Sequence, residues 1–476
     1  AKLTGSVADL NTAFGAKAAS GSNGIDFGGS SGAADQAVEI TDATVLAVDL
    51  NTLNGNTTGT IDASTLSEIE GTAANVNTIY DSKSGGNGFT GLGDEAITLT
   101  DTTVTAAALI DLYTNGTSGV IDASTVHTIT GTTANANTIY AQTSTFTGLG
   151  TENITITGET SNTLGAAALN TLNGNTTGNI NANTVTTLTG SISALNTAYA
   201  ASASTGDGIS NLGDEAITLS DTSVTDVAAL NTLNGNTTGL IDAGTNVTSF
   251  TGSISALNTM FAAAGDSGDK IDFGGTSGAA TQTVTISDTT DVSVTGLNTL
   301  NSNTTGNIDA TNVTSLASAS ISDIKTLLTN GNNTTNHFVA TSFQSLATVA
   351  VSGTSVSVTD LNDAIDQANT ATGGTSTVFS VASGATITTG DDAEFTALRG
   401  HESNGNIDIT DQNLTVSSGF VTVDKANLLH ATTTGVVTAS IVTSETVDEL
   451  TTLSGTGNAY TIVINSRDAD AKQSTA

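Results

Sequence analysis

The residues whose type and spacing best suit chemistry are carboxylates that recur at fixed places. Asp62, Asp122, Asp242 and Asp309 each follow an Ile at one such place, where Asn181 is the neutral exception. Asp94-Glu95 and Asp214-Glu215 lie in two copies of Leu-Gly-Asp-Glu. Oxygen-rich turns containing Gly suit calcium, a hard cation that takes oxygen ligands. These residues are therefore candidate metal ligands, with calcium as the candidate ion. The tandem Gly-Gly-x-Gly-x-Asp pattern of calcium-binding repeats is absent. Capping of turns and helices, a common task for Asp, fits the same positions. Asp42, Asp101, Asp221 and Asp288 recur just before a helical pattern, with Gly158 as the exception, and suit capping better than metal binding.

Other chemistry is poorly supplied. His127, His337, His401 and His430 stand in four different contexts, none with a ligand partner three or four residues on. No G-x-S-x-G marks a nucleophile, and no Gly-rich turn ends in the Lys-Ser/Thr of a phosphate loop. The absence of Cys excludes thiol catalysis, disulfides and Cys-ligated zinc. An enzyme is not expected, and neither catalytic nor cofactor-binding residues stand out. With 45 acidic residues against 9 basic ones, the formal charge of −36 repels nucleic acid and anionic lipid and keeps the chain soluble. No stretch approaches the ~20 apolar residues of a membrane span, so no membrane insertion is expected. The start Ala1-Lys2-Leu3 fits removal of an initiator Met, or cleavage of a signal peptide before Ala1.

The elements that must position these residues are repeats. Leu-Asn-Thr-Leu-Asn-Gly-Asn-Thr-Thr-Gly stands at 50–59, 169–178 and 230–239. It recurs at 297–306 with Ser302 for Gly, and in diverged form at 110–119. Asn51, Asp111, Asn170, Asn231 and Asn298 thus mark a period of about 60 residues, the signature of a stacked-repeat architecture. Within one copy, Val227, Leu230 and Leu233 fall on one helical face, Thr225 suits an N-cap, and Asn234-Gly235 reads as a stop and turn. A second helical pattern places an aromatic three residues after an Asn: Asn11/Phe14, Asn77/Tyr80, Asn137/Tyr140, Asn196/Tyr199 and Asn258/Phe261. Gly-rich corners of variable length follow, the longest containing Ile-Asp-Phe-Gly-Gly at 25–29 and 271–275. Alternating strands then set Val38/Ile40, Ile97/Leu99, Ile154/Ile156, Ile217/Leu219 and Val284/Ile286 inward.

The expected fold is a repeat protein, a β-solenoid of α/β type with short helices in each coil and two unequal coils per period. Its absence of Pro agrees with a chain hydrogen-bonded on both sides almost throughout. Five regular units are expected over 1–320. Diverged coils follow over 321–476, with helical echoes at 327–335, 358–371 and 428–437, a late strand at 460–465 and a C-terminal cap.

The phrases Ala-Leu-Asn-Thr-Leu-Asn-Gly-Asn-Thr-Thr-Gly (168–178), Gly-Leu-Gly-Asp-Glu-Ala-Ile-Thr-Leu (91–99) and Gly-Thr-Ala-Ala-Asn-Val-Asn-Thr-Ile-Tyr (71–80) carry a resemblance. They are similar to repeats of very large surface or secreted proteins of marine cyanobacteria and of virion appendage proteins of their phages. The resemblance covers about 1–320 and implies a structural role with no catalytic residues. Together with the repeats and the acidic surface, it leads to the expectation of a non-enzymatic extracellular or cell-surface protein: a surface-layer, filament or adhesin component. Self-association into a homo-oligomer or filament is expected through solenoid ends or faces, with cell-surface or glycan contact as a further partner class. The alternative is a phage virion appendage, such as a horn, fibre or knob.

Overall fold

Runs such as Ala96-Ile97-Thr98-Leu99 alternate small or polar with branched apolar residues, the pattern of a strand with one buried face. In a computed structural model of the chain they form strands of two to five residues, separated by short helices in a repeat-like α/β arrangement. The structure describes residues 2–16, 25, 27, 34–83, 88–202, 207–265, 268, 270–274, 280–333, 337–374 and 377–462. Of the Gly-rich insertions, positions 24, 26, 28, 29 and 275 lie outside the described residues, as do 334–335 of the helical echo and 463–465 of the expected late strand. That strand is present as Ala459–Ile462.

The chain divides into two compact units, 1–220 with 236–239, and 221–235 with 240–476. In the first unit, Lys2–Gly5, Ala37–Ile40, Ile61–Asp62 and Phe89–Thr90 lie side by side, all parallel. A second sheet runs Thr44–Leu46, Glu68–Gly71, Ala96–Leu99, Ile121–Asp122, Phe146–Thr147. A third runs Thr103–Thr105, Thr128–Gly131, Asn153–Ile156, Asn179–Asn181, Gly208–Ser210. Thr163–Gly165, Thr187–Gly190 and Ala216–Leu219 also pair in parallel. Parallel partners need a crossover between them, and the short helices supply it in most cases.

The second unit uses the same parallel pairing. Ser223–Val224, Ser249–Gly252, Thr283–Ile286 and Ile308–Asp309 form one sheet. Ser315–Ala319, Thr348–Val351, Val378–Val381 and Ile407–Asp408 form another. A third contains Ser355–Ser357, Thr386–Gly390, Asn413–Val416, Val437–Ile441 and Ala459–Ile462.

The core forms where inward strand positions line up. Ile69 lies beside Ile97 and Ile97 beside Ile121, all three buried. The helices dock on these columns with residues three apart: Leu50/Leu53, Leu169/Leu172, Leu230/Leu233 and Leu297/Leu300 are all fully buried. Helices of about ten residues are marginal alone. Each buried Leu contributes about 1.5–3 kcal/mol towards holding them in place.

Most helix starts follow the Ser/Thr rule, though Ala47–Asn56 and Ala166–Asn175 begin after Leu46 and Gly165 with no side-chain cap. Ser6, Thr72, Thr132, Ser191 and Ser253 each accept a backbone N–H three residues on. At Val227–Asn234 the cap is Asp226, which accepts from Ala229, and not the expected Thr225. The carboxylate one residue closer to the first turn fits both the hydrogen bond and the helix dipole.

Two helix ends differ from expectation. In Ala47–Asn56 and Ala166–Asn175 the helix runs through Asn-Gly and stops at the next Asn, where Thr57 and Thr176 turn extended. In the diverged copy, Leu109 and Leu112 occupy the buried helical positions, one residue earlier than an ungapped alignment of 110–119 places them. A π-helical turn, Leu112–Gly116, with Thr117 N–H donating to Leu112 O, absorbs the extra residue.

Candidate functional site

The aspartates that follow Ile turn back on their own chain. Asp62 Oδ1 accepts from Ser64 N–H at 3.2 Å and Ser64 Oγ at 2.7 Å. Asp122 accepts from Ser124 N–H, Asp242 from Gly244 and Thr245, and Asp309 from Thr311 N–H and Oγ1. Asn181 does the same with Asn183 N–H, so the neutral residue performs the same local task. Hydrogen bonds from Ser64 hold Asp62 below the usual carboxylate range, and those from Thr410 do so for Asp408. Lys2, two strands away in the same sheet, reaches across the intervening Ala37–Ile40 to set its Nζ 3.5 Å from Asp62 and 2.9 Å from Glu39. Among the described residues no three His, Cys, Asp or Glu side chains gather as a metal-binding group.

The Leu-Gly-Asp-Glu pairs separate in role. Asp94 and Asp214 are exposed, whereas Glu95 and Glu215 are 1% exposed. Glu95 Oε2 accepts from the Tyr80 hydroxyl at 2.8 Å and from Gly93 N–H at 2.9 Å. Glu215 Oε2 accepts from Tyr199 at 3.0 Å and Gly213 N–H at 2.9 Å. A third copy escaped the sequence reading: Glu152, fully buried, accepts from Tyr140 at 2.9 Å and Gly150 N–H at 2.8 Å. Burial is the main cause that pushes all three tyrosines above their ordinary value, with the adjoining carboxylates adding to it. The sequence-detected aromatic and the carboxylate of the following corner are therefore one unit.

Where the helix carries Phe, the partner is Gln. Phe14 and Phe261 replace Tyr, and Gln36 and Gln282 stand where the others have Glu. Gln282 Nε2 donates to Phe273 O at 2.9 Å, and Gln36 Nε2 bonds Phe27 O in the same way. Phe27 packs on Phe14 and Phe273 on Phe261, with ring centroids 4.9 and 5.2 Å apart. The longer corner thus replaces a hydroxyl–carboxylate pair by an aromatic pair and an amide. The paired change of Tyr with Glu and Phe with Gln was visible in the sequence.

In most copies the backbone carbonyl of this Glu or Gln anchors the first Thr of the repeated Thr-Thr-Gly or Thr-Ser-Gly; at 304–306 Thr304 bonds Ala280 O instead. Thr117 Oγ1 donates to Glu95 O at 2.6 Å, Thr176 to Glu152 O at 2.7 Å and Thr237 to Glu215 O at 2.9 Å. Thr57 and Thr433 bond Gln36 O and Gln412 O likewise. Each of these Thr oxygens accepts from the N–H of the Gly two residues on. A Cβ on Gly178 would collide with the Glu152 carbonyl, and one on Gly119 with that of Glu95. Gly is required there by close approach of two chain segments.

No family model matches this chain, and no curated protein matches it in sequence. Further polar side chains stitch neighbouring elements. In the first unit, Asn11, Asn51, Asn77, Asn137 and Asn170 donate to Asp49, Asn75, Ala108, Ala168 and Ala194. Each acceptor is the carbonyl of the third residue of the next helix. In the second unit Asn231, Asn258, Asn298 and Asn362 do the same with Ala256, Gly296, Asp323 and Glu394. Lys325 adds ion pairs to Asp360 and Asp363, each at 2.7 Å.

Asp42, Asp101 and Asp288 do cap helices, but not the helices that follow them. They accept the first N–H of helices 35, 28 and 34 residues earlier, at Val7, Ala73 and Ile254. Glu159 takes this role beside Gly158, accepting from Thr133 N–H. Of the histidines, His127 Nδ1 lies 2.6 Å from Thr125 O and His401 Nε2 3.7 Å from Asp366.

Proposed function

We propose that this protein is a non-enzymatic structural component of the cell exterior, of the surface-layer, filament or adhesin kind. In this reading it is an α/β-type β-solenoid in which about 60 residues make two unequal coils. Regular coils occupy 1–320 and diverged coils 321–476. The observation that carries the reading is the use made of the recurring polar residues. Asn joins helix to next helix, Thr joins its corner to an earlier carbonyl, and Asp or Glu caps an earlier helix. A chain whose repeated polar groups serve cohesion, beneath an acidic surface, suits a durable extracellular scaffold.

Electron microscopy and sedimentation of the purified protein, with and without calcium, test the assembly. Filaments or ordered oligomers are expected, and a monomer under every ionic condition contradicts assembly. Immunolabelling of intact cells tests location: label at the surface is expected, and label confined to virus particles selects the virion appendage instead.

A further inference from the structure

We draw no further inference here: the strongest candidate, the edge of the strand Ala459–Ile462 that has no second partner strand among the described residues, together with exposed Phe420, Val447 and Ile462 of the same unit, is an unpartnered apolar face, and nothing in the structure shows what covers it.

Discussion

At the scale of single residues, the buried Tyr–Glu pairs and the Thr-x-Gly contacts make the sharpest demands. Tyr80→Phe leaves the Glu95 carboxylate one donor short, and Glu95→Gln weakens the bond from the other side. Each change should cost about 1–3 kcal/mol in urea unfolding. The double variant should cost clearly less than the sum, because it approaches the Phe/Gln pairing already present at Phe261 and Gln282. Strict additivity would mean that the two groups do not act as a pair. Two glycines of one segment should diverge. Gly174→Ala adds a methyl to open space in a helix and should stabilise by up to about 1 kcal/mol. Gly178→Ala meets the Glu152 carbonyl and should destabilise by more than about 2 kcal/mol. Equal effects would exclude the close approach. The raised tyrosines also set an alkaline limit. Their contribution is complete below the unfolded tyrosine value of about 10. It is lost as pH rises from there through the folded values, since unfolding then releases protons. Urea midpoints should fall above about pH 10, and the fall should be shallower in a variant with Phe at 80, 140 and 199.

Between elements, the Asn links predict local rather than global effects. Asn170→Ala removes the bond to Ala194 O and should cost about 1 kcal/mol. Amide exchange should speed up in Ala166–Asn175 and Ile192–Ala200, and unchanged protection there would show that the link carries no stability. These elements were largely legible in the sequence. Leu230/Leu233 and Ile97/Leu99 announce their buried faces through periods of three to four and two, and both pairs are buried. Partners distant along the chain were not legible. Asp101 stands just before its own helix, so local spacing suggests a local cap, yet it bonds Ala73 of an earlier one. The extra residue near Tyr113 was hidden because a π-helical turn absorbs it without changing the Leu spacing. Glu95 resembled an exposed turn carboxylate, since nothing local shows that Tyr80 reaches it.

For the whole molecule, the proposed solenoid makes about 60 residues one structural period. A one-dimensional stack loses a complete period without loss of its neighbours' contacts, whereas a globular core does not. Strand pairing supports this: Ile121 and Ile180 hold equivalent inward places, each buried between parallel partners. The acidic surface adds a condition on assembly, because like charge opposes close packing and salt screens it over about 10 Å at 0.1 M. Oligomers should therefore strengthen as ionic strength rises, which sedimentation reads directly; dissociation by salt would point to ion pairing instead. The most direct test removes residues 122–180 in frame, joining Ile121 to Asn181. The shortened protein should keep its circular dichroism per residue and the slow amide exchange of the remaining strands, while removal of 122–165 should abolish both in the first unit. Loss of folded structure on removing 122–180, or its retention on removing 122–165, would contradict a repeating unit of that length.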